Sequence, residues 1–235
     1  GFVAGGSGGI RSLRWGFLRE PGRLPGVQVV PLQPEARRLQ LDEVDAEAFN
    51  HAYGTNGIIT ALTLATAPAV DWHQVTIDCV SWAEAVQLLH LIAASAIELQ
   101  LATLLEQPLL ERLPEWSGPA GSAHRLLLLV APDGLGSLRR ICAGASLSLN
   151  ERGPEPLSGG NGLRELSWNH TTLHVRASEP GWTYLQMLLP QPELPAMDEL
   201  RRRWGDDILW HLELVRQQGC PRLAALPLVR WGGED

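Results

Sequence analysis

The sequence predicts an α+β fold in which helices alternate with mainly antiparallel strands. Residues 74–80 alternate apolar and polar side chains as a half-buried strand does, and the next segment has the periodicity of an amphipathic helix. Residues 207–231 alternate on both arms of a turn at Gly219, which predicts a β-hairpin. Strand and helix signals are interspersed between these two regions, as in other α+β domains.

The pattern of the first seventy residues predicts short strands and one short helix. Pro31 and Pro34 interrupt the β-branched residues of segment 26–41, which favours two short strands around a turn. Residues 42–53 have a helix-forming composition, and the threonine and isoleucine density of residues 57–68 indicates a strand.

A domain boundary is expected near residue 70, where the stretch APAVDW separates two patterns, so we predict domains at residues 1–70 and 71–235. In the second domain, Ser81 and Glu84 form a capping box that starts a helix. Further elements are expected as strands at residues 96–102 and 124–131 and as helices at residues 104–113 and 138–145.

The composition excludes several kinds of chemistry. The nineteen basic residues are all arginines, which excludes a Schiff-base lysine and a lysine-dependent phosphate loop. A formal net charge of −7 argues against general binding to nucleic acid or to an anionic membrane surface. The three cysteines are far apart, which predicts neither a disulfide nor a zinc site and fits a reducing, cytoplasmic compartment. No apolar run has the length of a membrane helix.

The chain begins with GFVAGGSGGIRSLRWG, whose glycines leave the backbone bare. Three interpretations are open: a phosphate-bearing cofactor, a serine nucleophile on a tight turn, or a flexible terminus. Residues 5–9 satisfy the GxSxG motif, but Gly16 and Pro21 interrupt the long helix that should follow a nucleophile elbow. A GxGxxG fingerprint also fails, because its third glycine is missing. The glycines are still suited to expose N–H groups to a diphosphate and to lie against a flat ring.

Such a ligand needs a second protein segment on its other side, and YGTNGIIT at residues 53–60 is the candidate for it. GFVAGGSGGIRSLRWGFLREPG, GVQVV and HAYGTNGIITALTLATAP follow one another as they do in FAD-linked oxidases of the vanillyl-alcohol-oxidase/p-cresol-methylhydroxylase (PCMH) type, which the sequence resembles. LSWNHTTLHV, TYLQ and the terminal WHLELVR…LPLVRW hairpin are similar to the same family, so the resemblance spans nearly the whole chain. Among its members, the chain looks like the bacterial glycolate or D-lactate dehydrogenase relatives.

The resemblance implies FAD as cofactor, and a fold made of the second half of a PCMH-type FAD-binding domain followed by a ferredoxin-like α/β cap domain. In the family, main-chain groups of the two segments line FAD. The corresponding residues are Gly5, Gly6, Ser7, Gly8, Gly9, Ile10, Gly57, Ile58 and Ile59. A place in a strand core explains Ile58 and Ile59 equally well, and the two interpretations do not exclude each other.

The candidate catalytic residues are Asn169 and His170, which lie in the polar and aromatic segment WNHTT. An imidazole there is suited to orient a hydroxy-acid substrate or to take its proton. The alternative is a structural, hydrogen-bonded histidine. His170 and His174 would share a helix face, but no third ligand supports a metal site, so we predict none.

Arg11, Arg14 and Arg19 follow the glycine-rich segment closely. Each is a candidate for a bidentate contact with a phosphate or a substrate carboxylate, although we expect most of them to be solvated or ion-paired.

The resemblance implies an FAD-dependent oxidoreductase that oxidises a small hydroxy acid or alcohol by hydride transfer to flavin, with an unidentified electron acceptor. The family's earlier phosphate loop is missing from this sequence. We therefore expect this chain to hold FAD weakly or not at all by itself. Its motif-dense beginning, with Gly as first residue, is expected of a piece of a longer protein. The rival interpretation is a non-catalytic module with the same fold that serves assembly or regulation.

Overall fold

The computed structural model describes residues 2–6, 8–113, 123–156 and 162–232. The chain divides into two compact units. Unit 1 consists of Gly1–Ala69 and Arg216–Cys220, and unit 2 consists of Val70–Val215 and Pro221–Asp235. The roles of flavin domain and cap domain, which the sequence suggested for residues 1–70 and 71–235, stay predictions.

Unit 1 is built on a three-stranded antiparallel sheet with the order β2-β1-β3. Its elements are α1 (Ser12–Trp15), β1 (Gly26–Pro31), β2 (Leu39–Asp42), α2 (Glu43–Ala46), a 3-10 turn (Glu47–Phe49) and β3 (Gly57–Thr63). The predicted pair of strands around a proline turn is thus β1 and β2. The Asp42 side chain accepts hydrogen bonds from the N–H groups of Val44 and Asp45 and caps α2.

One apolar cluster holds unit 1 together and includes the third residue of the chain. Its buried members are Val3, Leu24, Val27, Val29 and Ala46, and Leu18, Leu39, Leu41, Phe49 and Ile59 pack against them. Val3 retains 2% of its accessible surface. The segment that begins the chain is therefore anchored in the core directly before its first glycines, because burying a valine stabilises its position by about 1.5 kcal/mol or more.

Unit 2 contains a three-stranded sheet and a seven-stranded sheet, except that the hairpin turn Arg216–Cys220 of the larger sheet belongs to unit 1. The strands of these two sheets are β4 (His73–Cys79), β5 (Leu99–Leu105), β6 (His124–Val130), β7 (Leu149–Pro154), β8 (Trp182–Tyr184), β9 (Met187–Leu188), β10 (Ile208–Leu209), β11 (His211–Gln217), β12 (Cys220–Ala225) and β13 (Leu228–Arg230). The helices are α3 (Trp82–Ala93), α4 (Gln107–Leu110), α5 (Leu135–Gly144), α6 (Asn169–Ser178) and α7 (Glu193–Trp204). Short 3-10 turns occur at Pro132–Gly134, Leu163–Leu166 and Gly205–Asp207.

The larger sheet has the order β7-β4-β6-β5-β11-β12-β9. Its first four strands and the helices α3 and α5 follow the chain order β-α-β-β-α-β, and the adjacent strands are antiparallel, as in a ferredoxin-like unit. Strand β11 then pairs with β5 in antiparallel orientation. The α+β fold class with a ferredoxin-like second part and a mainly antiparallel sheet is thereby confirmed.

Several local predictions hold, because they rest on short-range patterns. The Ser81 hydroxyl accepts a hydrogen bond from the Glu84 N–H, at 3.3 Å, and caps α3. The terminal hairpin consists of β11 and β12, and Gly219 in its turn has φ +80°, a left-handed conformation that favours glycine. None of the helices in the described ranges is both long and apolar enough to cross a membrane.

Several predicted elements have different bounds. The strand expected at residues 96–102 is β5, which runs on to Leu105 because β6 and β11 pair with its second half. The helix expected at residues 104–113 is consequently only the four residues of α4. In unit 1, residues 50–53 form a turn after the 3-10 segment, and β3 ends at Thr63. For β5 and α4, pairing between strands that are distant in the sequence overrides the local secondary-structure propensity.

Two of the three cysteines are buried thiols of low reactivity. Cys79 and Cys142 are each 1% exposed, and Cys220 is exposed. Burial, followed by the charge of Asp78, raises the pKa of Cys79 to about 11, and burial also raises the pKa of Cys142. The thiolate is the nucleophile, so both thiols are poor targets in the folded protein.

We expect iodoacetamide at pH 8 to alkylate Cys220 in the native protein and to reach Cys79 and Cys142 only after unfolding in urea. Peptide mass spectrometry of labelled samples measures each site. The Cys220→Ser variant should show no fast-reacting thiol, and native labelling of Cys79 at the rate of Cys220 would contradict the burial argument.

Candidate functional site

The glycine-rich loop, of which residues 2–6 and 8–10 are described, lies through Val3 and Ala4 against the turn that precedes β3. The carbonyl oxygen of Val3 accepts hydrogen bonds from the N–H groups of Gly6, at 2.9 Å, and His51, at 3.0 Å. The carbonyl oxygen of Ala4 accepts a third from the Tyr53 N–H, at 2.8 Å. We call residues 50–57 the pre-β3 turn. The two segments in which the sequence places cofactor contacts are therefore neighbours within unit 1.

The pre-β3 turn has a strained backbone. His51 and Tyr53 have φ values of +57° and +51°, in the left-handed region, and Gly54 follows with +76°. Such a conformation costs a non-glycine residue about 1–3 kcal/mol and persists only where its surroundings impose it. Hydrogen bonds within the turn do so: the Thr55 N–H and hydroxyl both donate to the Ala52 carbonyl, at 2.9 and 2.7 Å.

The glycines of the site fall into two groups. A Cβ atom on Gly6 would lie 2.5 Å from Cγ of His51, and one on Gly57 would lie 2.7 Å from the Val30 carbonyl oxygen. The packing of unit 1 alone therefore requires these two glycines. Gly9 and Gly54 have φ values of +57° and +76°, yet nothing lies within 4 Å of the position that a Cβ atom would take. Bare backbone at these two positions faces open space.

The remaining predicted cofactor residues follow from this geometry. Gly5, Gly8 and Ile10 are half-buried in the glycine-rich loop, and Ser7 lies outside the described residues. Ile59 packs against the core of unit 1, as the strand interpretation predicts. Ile58 points the other way along β3 and is 65% exposed, so it is free for contact with a ligand.

Polar side chains surround the pre-β3 turn. His51 Nε2 lies 2.8 Å from the Tyr53 hydroxyl, and the two ring centroids are 5.0 Å apart. Arg19 Nη2 lies 3.4 Å from His51 Nδ1, and Arg19 Nε lies 4.0 Å from Glu47 Oε1. Of the other two candidate arginines, Arg14 stacks over the Trp15 ring, and Arg11 is exposed.

Asn169 and His170 are exposed residues at the start of α6 in unit 2. The His170 side chain is 53% exposed, and its Nδ1 lies 3.9 Å from Glu165 Oε2. Because the segment is helical, His170 and His174 are one turn apart. Within the described part of the chain, no group of three side chains is arranged to hold a metal ion.

A buried carboxylate holds the residue before this helix. Glu213 is 1% exposed, and its Oε1 accepts the Trp168 N–H at 2.7 Å. The same oxygen lies 2.9 Å from Nε2 of the fully buried His211, and Oε2 accepts the Thr103 hydroxyl at 2.8 Å. Trp168 has φ +51°, so Glu213 holds a strained residue in place. The positions of Asn169 and His170 depend on this contact.

Sequence reasoning missed His51, Tyr53, His211 and Glu213 as site residues. The strand HLELV contained a usable signal, since His211 and Glu213 are two residues apart and therefore share one face of an otherwise apolar strand. The left-handed backbone of His51 and Tyr53 left no comparable pattern, because neither is a residue type that favours this conformation as glycine does.

The chain has a mixed helix and antiparallel-sheet fold that matches part of an FAD-binding PCMH-type fold. No protein-family model matches the sequence, and no curated protein matches it, whereas 96 chains of solved structures do.

Two of these structures are of alkyldihydroxyacetonephosphate synthase, in a P212121 and a P1 crystal form. They share 13% and 14% sequence identity with the chain, each with a TM-score of 0.63. The alignments cover 98% and 99% of this chain but 48% and 50% of theirs, so the chain spans about half the length of the structures that it matches. At this identity the likeness shows the fold.

We expect Gly57→Ala to destabilise the protein by about 1–3 kcal/mol, since the added methyl would meet the Val30 carbonyl and the Phe49 ring. Urea unfolding followed by circular dichroism measures the change. Gly181→Ala is the matched control: a Cβ there meets nothing within 4 Å, so its effect should stay within about 0.5 kcal/mol. Equal effects of the two substitutions would refute the packing explanation.

We expect Glu213→Ala to lower the free energy of unfolding by roughly 3 kcal/mol or more, because the fully buried Thr103 and His211 side chains and the Trp168 N–H lose their acceptor. Glu213→Gln should cost only about 1 kcal/mol, since the amide oxygen can replace Oε1 and the Thr103 hydroxyl can accept from the NH2 group. Glu199→Ala, which removes an exposed partner of Arg202, is the control for losing a carboxylate. In unfolding experiments we expect the loss in free energy of unfolding to be largest for Glu213→Ala, smaller for Glu213→Gln and smallest for Glu199→Ala. Any other order contradicts the role assigned to Glu213.

Proposed function

We propose that this protein is an FAD-linked oxidoreductase, and that unit 1 contributes to its cofactor site. The observation that carries the proposal is the main-chain docking of the glycine-rich loop against the pre-β3 turn. It brings the two segments that the family resemblance assigns to FAD into one surface. The PCMH-type fold supports the same cofactor.

The residues of this surface fit FAD. Gly9 and Gly54 leave open space beside backbone that a side chain would otherwise fill. Arg19 and Tyr53 provide donors for phosphate oxygens, and the exposed Ile58 offers an apolar contact for a flat ring. Main-chain N–H groups of the glycine-rich loop are candidates for the diphosphate. When bound, FAD supplies a two-electron acceptor for a hydride.

We propose a small hydroxy acid or alcohol, such as glycolate or D-lactate, as the substrate. Asn169 and His170 are exposed and so available to a ligand, and their backbone is held by the Glu213 contact at Trp168. Asn169 would orient the substrate by hydrogen bonding, and the His170 imidazole would take the hydroxyl proton as the carbon loses its hydride. The three free cysteines support a cytoplasmic location, which we propose as well.

The alternative function is a non-catalytic module for assembly or regulation. One observation favours it: the internal packing of unit 1 is enough to explain Gly6 and Gly57, so the fold requires these glycines without any cofactor. The matched structures are named for the synthesis of alkyldihydroxyacetonephosphate, so a phosphate-bearing substrate belongs in the same assay.

The test uses the natural full-length protein. We expect the purified protein to show the visible absorption bands of flavin, and glycolate or D-lactate to bleach them under anaerobic conditions. His170→Gln should slow bleaching about 100-fold without lowering the flavin content, because a general base contributes at least that factor. His174→Asn, one helical turn away, is the control and should bleach at the wild-type rate.

Other outcomes decide against parts of the proposal. A colourless protein that takes up no added FAD refutes the flavin function. If the protein binds flavin but none of the tested substrates bleaches it, the result is evidence for the non-catalytic module. If only the phosphate-bearing substrate bleaches the flavin, the proposed hydroxy-acid or alcohol substrate is wrong and a phosphate-bearing substrate takes its place.

A further inference from the structure

Arg19, His51 and Tyr53 form a line of contacts beside the glycine-rich loop. The Arg19 guanidinium reaches His51 Nδ1 at 3.4 Å, and His51 Nε2 lies 2.8 Å from the Tyr53 hydroxyl oxygen. The His51 ring also covers the backbone of Gly6. This line belongs to unit 1 alone. The sequence suggested Arg19 as a candidate for a phosphate contact, but not His51 or Tyr53.

The direction of these hydrogen bonds follows from the chemistry of the groups. A guanidinium has donors and no acceptor, so His51 Nδ1 accepts from Arg19. The ring proton of His51 is then on Nε2, which donates to the oxygen of Tyr53. The Tyr53 hydroxyl accepts this bond and keeps its own proton for another acceptor. Among the described residues, no acceptor for that proton occurs, and Tyr53 is 72% exposed.

We propose that Tyr53 donates a hydrogen bond to a phosphate oxygen of a nucleotide bound at the glycine-rich loop, with His51 and Arg19 directing its proton outward. The inference rests on the proposed function, which has FAD bound at this loop. It adds that the Tyr53 side chain contacts the phosphate part of the ligand. Phosphate is the favoured acceptor because the line combines a free O–H donor with the positive charge of Arg19.

The backbone of the turn supports the assignment. His51 and Tyr53 are the two non-glycine residues of the pre-β3 turn with left-handed φ values. Their N–H groups donate to the Val3 and Ala4 carbonyls, so the conformation aligns both side chains with the loop. Strained residues of this kind cluster at ligand-binding sites.

Binding experiments on the full-length protein, freed of bound nucleotide, test the assignment with three probes: FAD, ADP and riboflavin. ADP and FAD contain phosphate, and riboflavin does not. In calorimetric titrations we expect Tyr53→Phe to weaken the binding of FAD and ADP at least about tenfold, since the hydroxyl that contacts phosphate is lost. The affinity for riboflavin should be unchanged. Tyr184→Phe, at the other tyrosine of the chain, should change none of the three.

A second readout is independent of affinity. In ring-13C tyrosine labelling of the full-length protein, the NMR signals that disappear in Tyr53→Phe and in Tyr184→Phe are those of Tyr53 and Tyr184. Saturating ADP should shift the Tyr53 signal and leave that of Tyr184 in place. His51→Asn tolerates the left-handed backbone but removes the ring, so it should weaken ADP as Tyr53→Phe does. The double variant should then bind no more weakly than either single variant, since the residues act as one unit.

The results separate this inference from the proposed function. If wild-type protein binds FAD while Tyr53→Phe keeps ADP affinity within about twofold, or if ADP leaves the Tyr53 signal unmoved, the inference is wrong and the flavin function stands. If the wild-type protein binds none of the three probes, both fail.

Discussion

Two main-chain hydrogen bonds hold the glycine-rich loop against the pre-β3 turn, and the candidate site of unit 1 depends on them. A bare, glycine-rich segment loses much conformational entropy on ordering and has few side chains to compensate for the loss. Here the compensation comes from the carbonyl groups of Val3 and Ala4, which accept from the turn, and from the buried Val3 side chain. The same contacts hold the main-chain N–H groups of His51 and Tyr53 in place.

This arrangement separates two uses of glycine that look alike in a sequence. Gly6 and Gly57 are glycines because another part of unit 1 occupies the space of a side chain. Gly9 and Gly54 have left-handed backbones next to open space, so their conformation favours glycine although no protein atom fills the adjacent space. A substitution at any of the four positions strains the fold, through a steric clash at Gly6 and Gly57 and through the backbone conformation at Gly9 and Gly54.

In unit 2, a buried carboxylate holds the segment that precedes the exposed residues Asn169 and His170. Glu213 lies in the middle of the seven-stranded sheet, and a buried carboxylate must be fully hydrogen-bonded to be tolerated there. It meets this need by accepting from His211, Thr103 and the Trp168 main chain. The strained Trp168 then sets where α6 begins. Structures with 13% and 14% sequence identity to the chain have the same fold, and a fold does not by itself define the reaction.

The sequence alone determined the features that depend on neighbours a few residues apart. These include the α+β class, the strand pair of unit 1, the capped start of α3 and the terminal hairpin, because alternation, capping residues and turn residues act locally. The family motifs also selected two segments that the structure brings into contact. Tertiary structure decided the rest: the length of β5, the exposure of Ile58, the conformation of His51 and Tyr53, and the burial of Glu213. Each of these is set by a contact with residues far away in the chain, and the energy of such a contact leaves no periodic pattern in the local sequence.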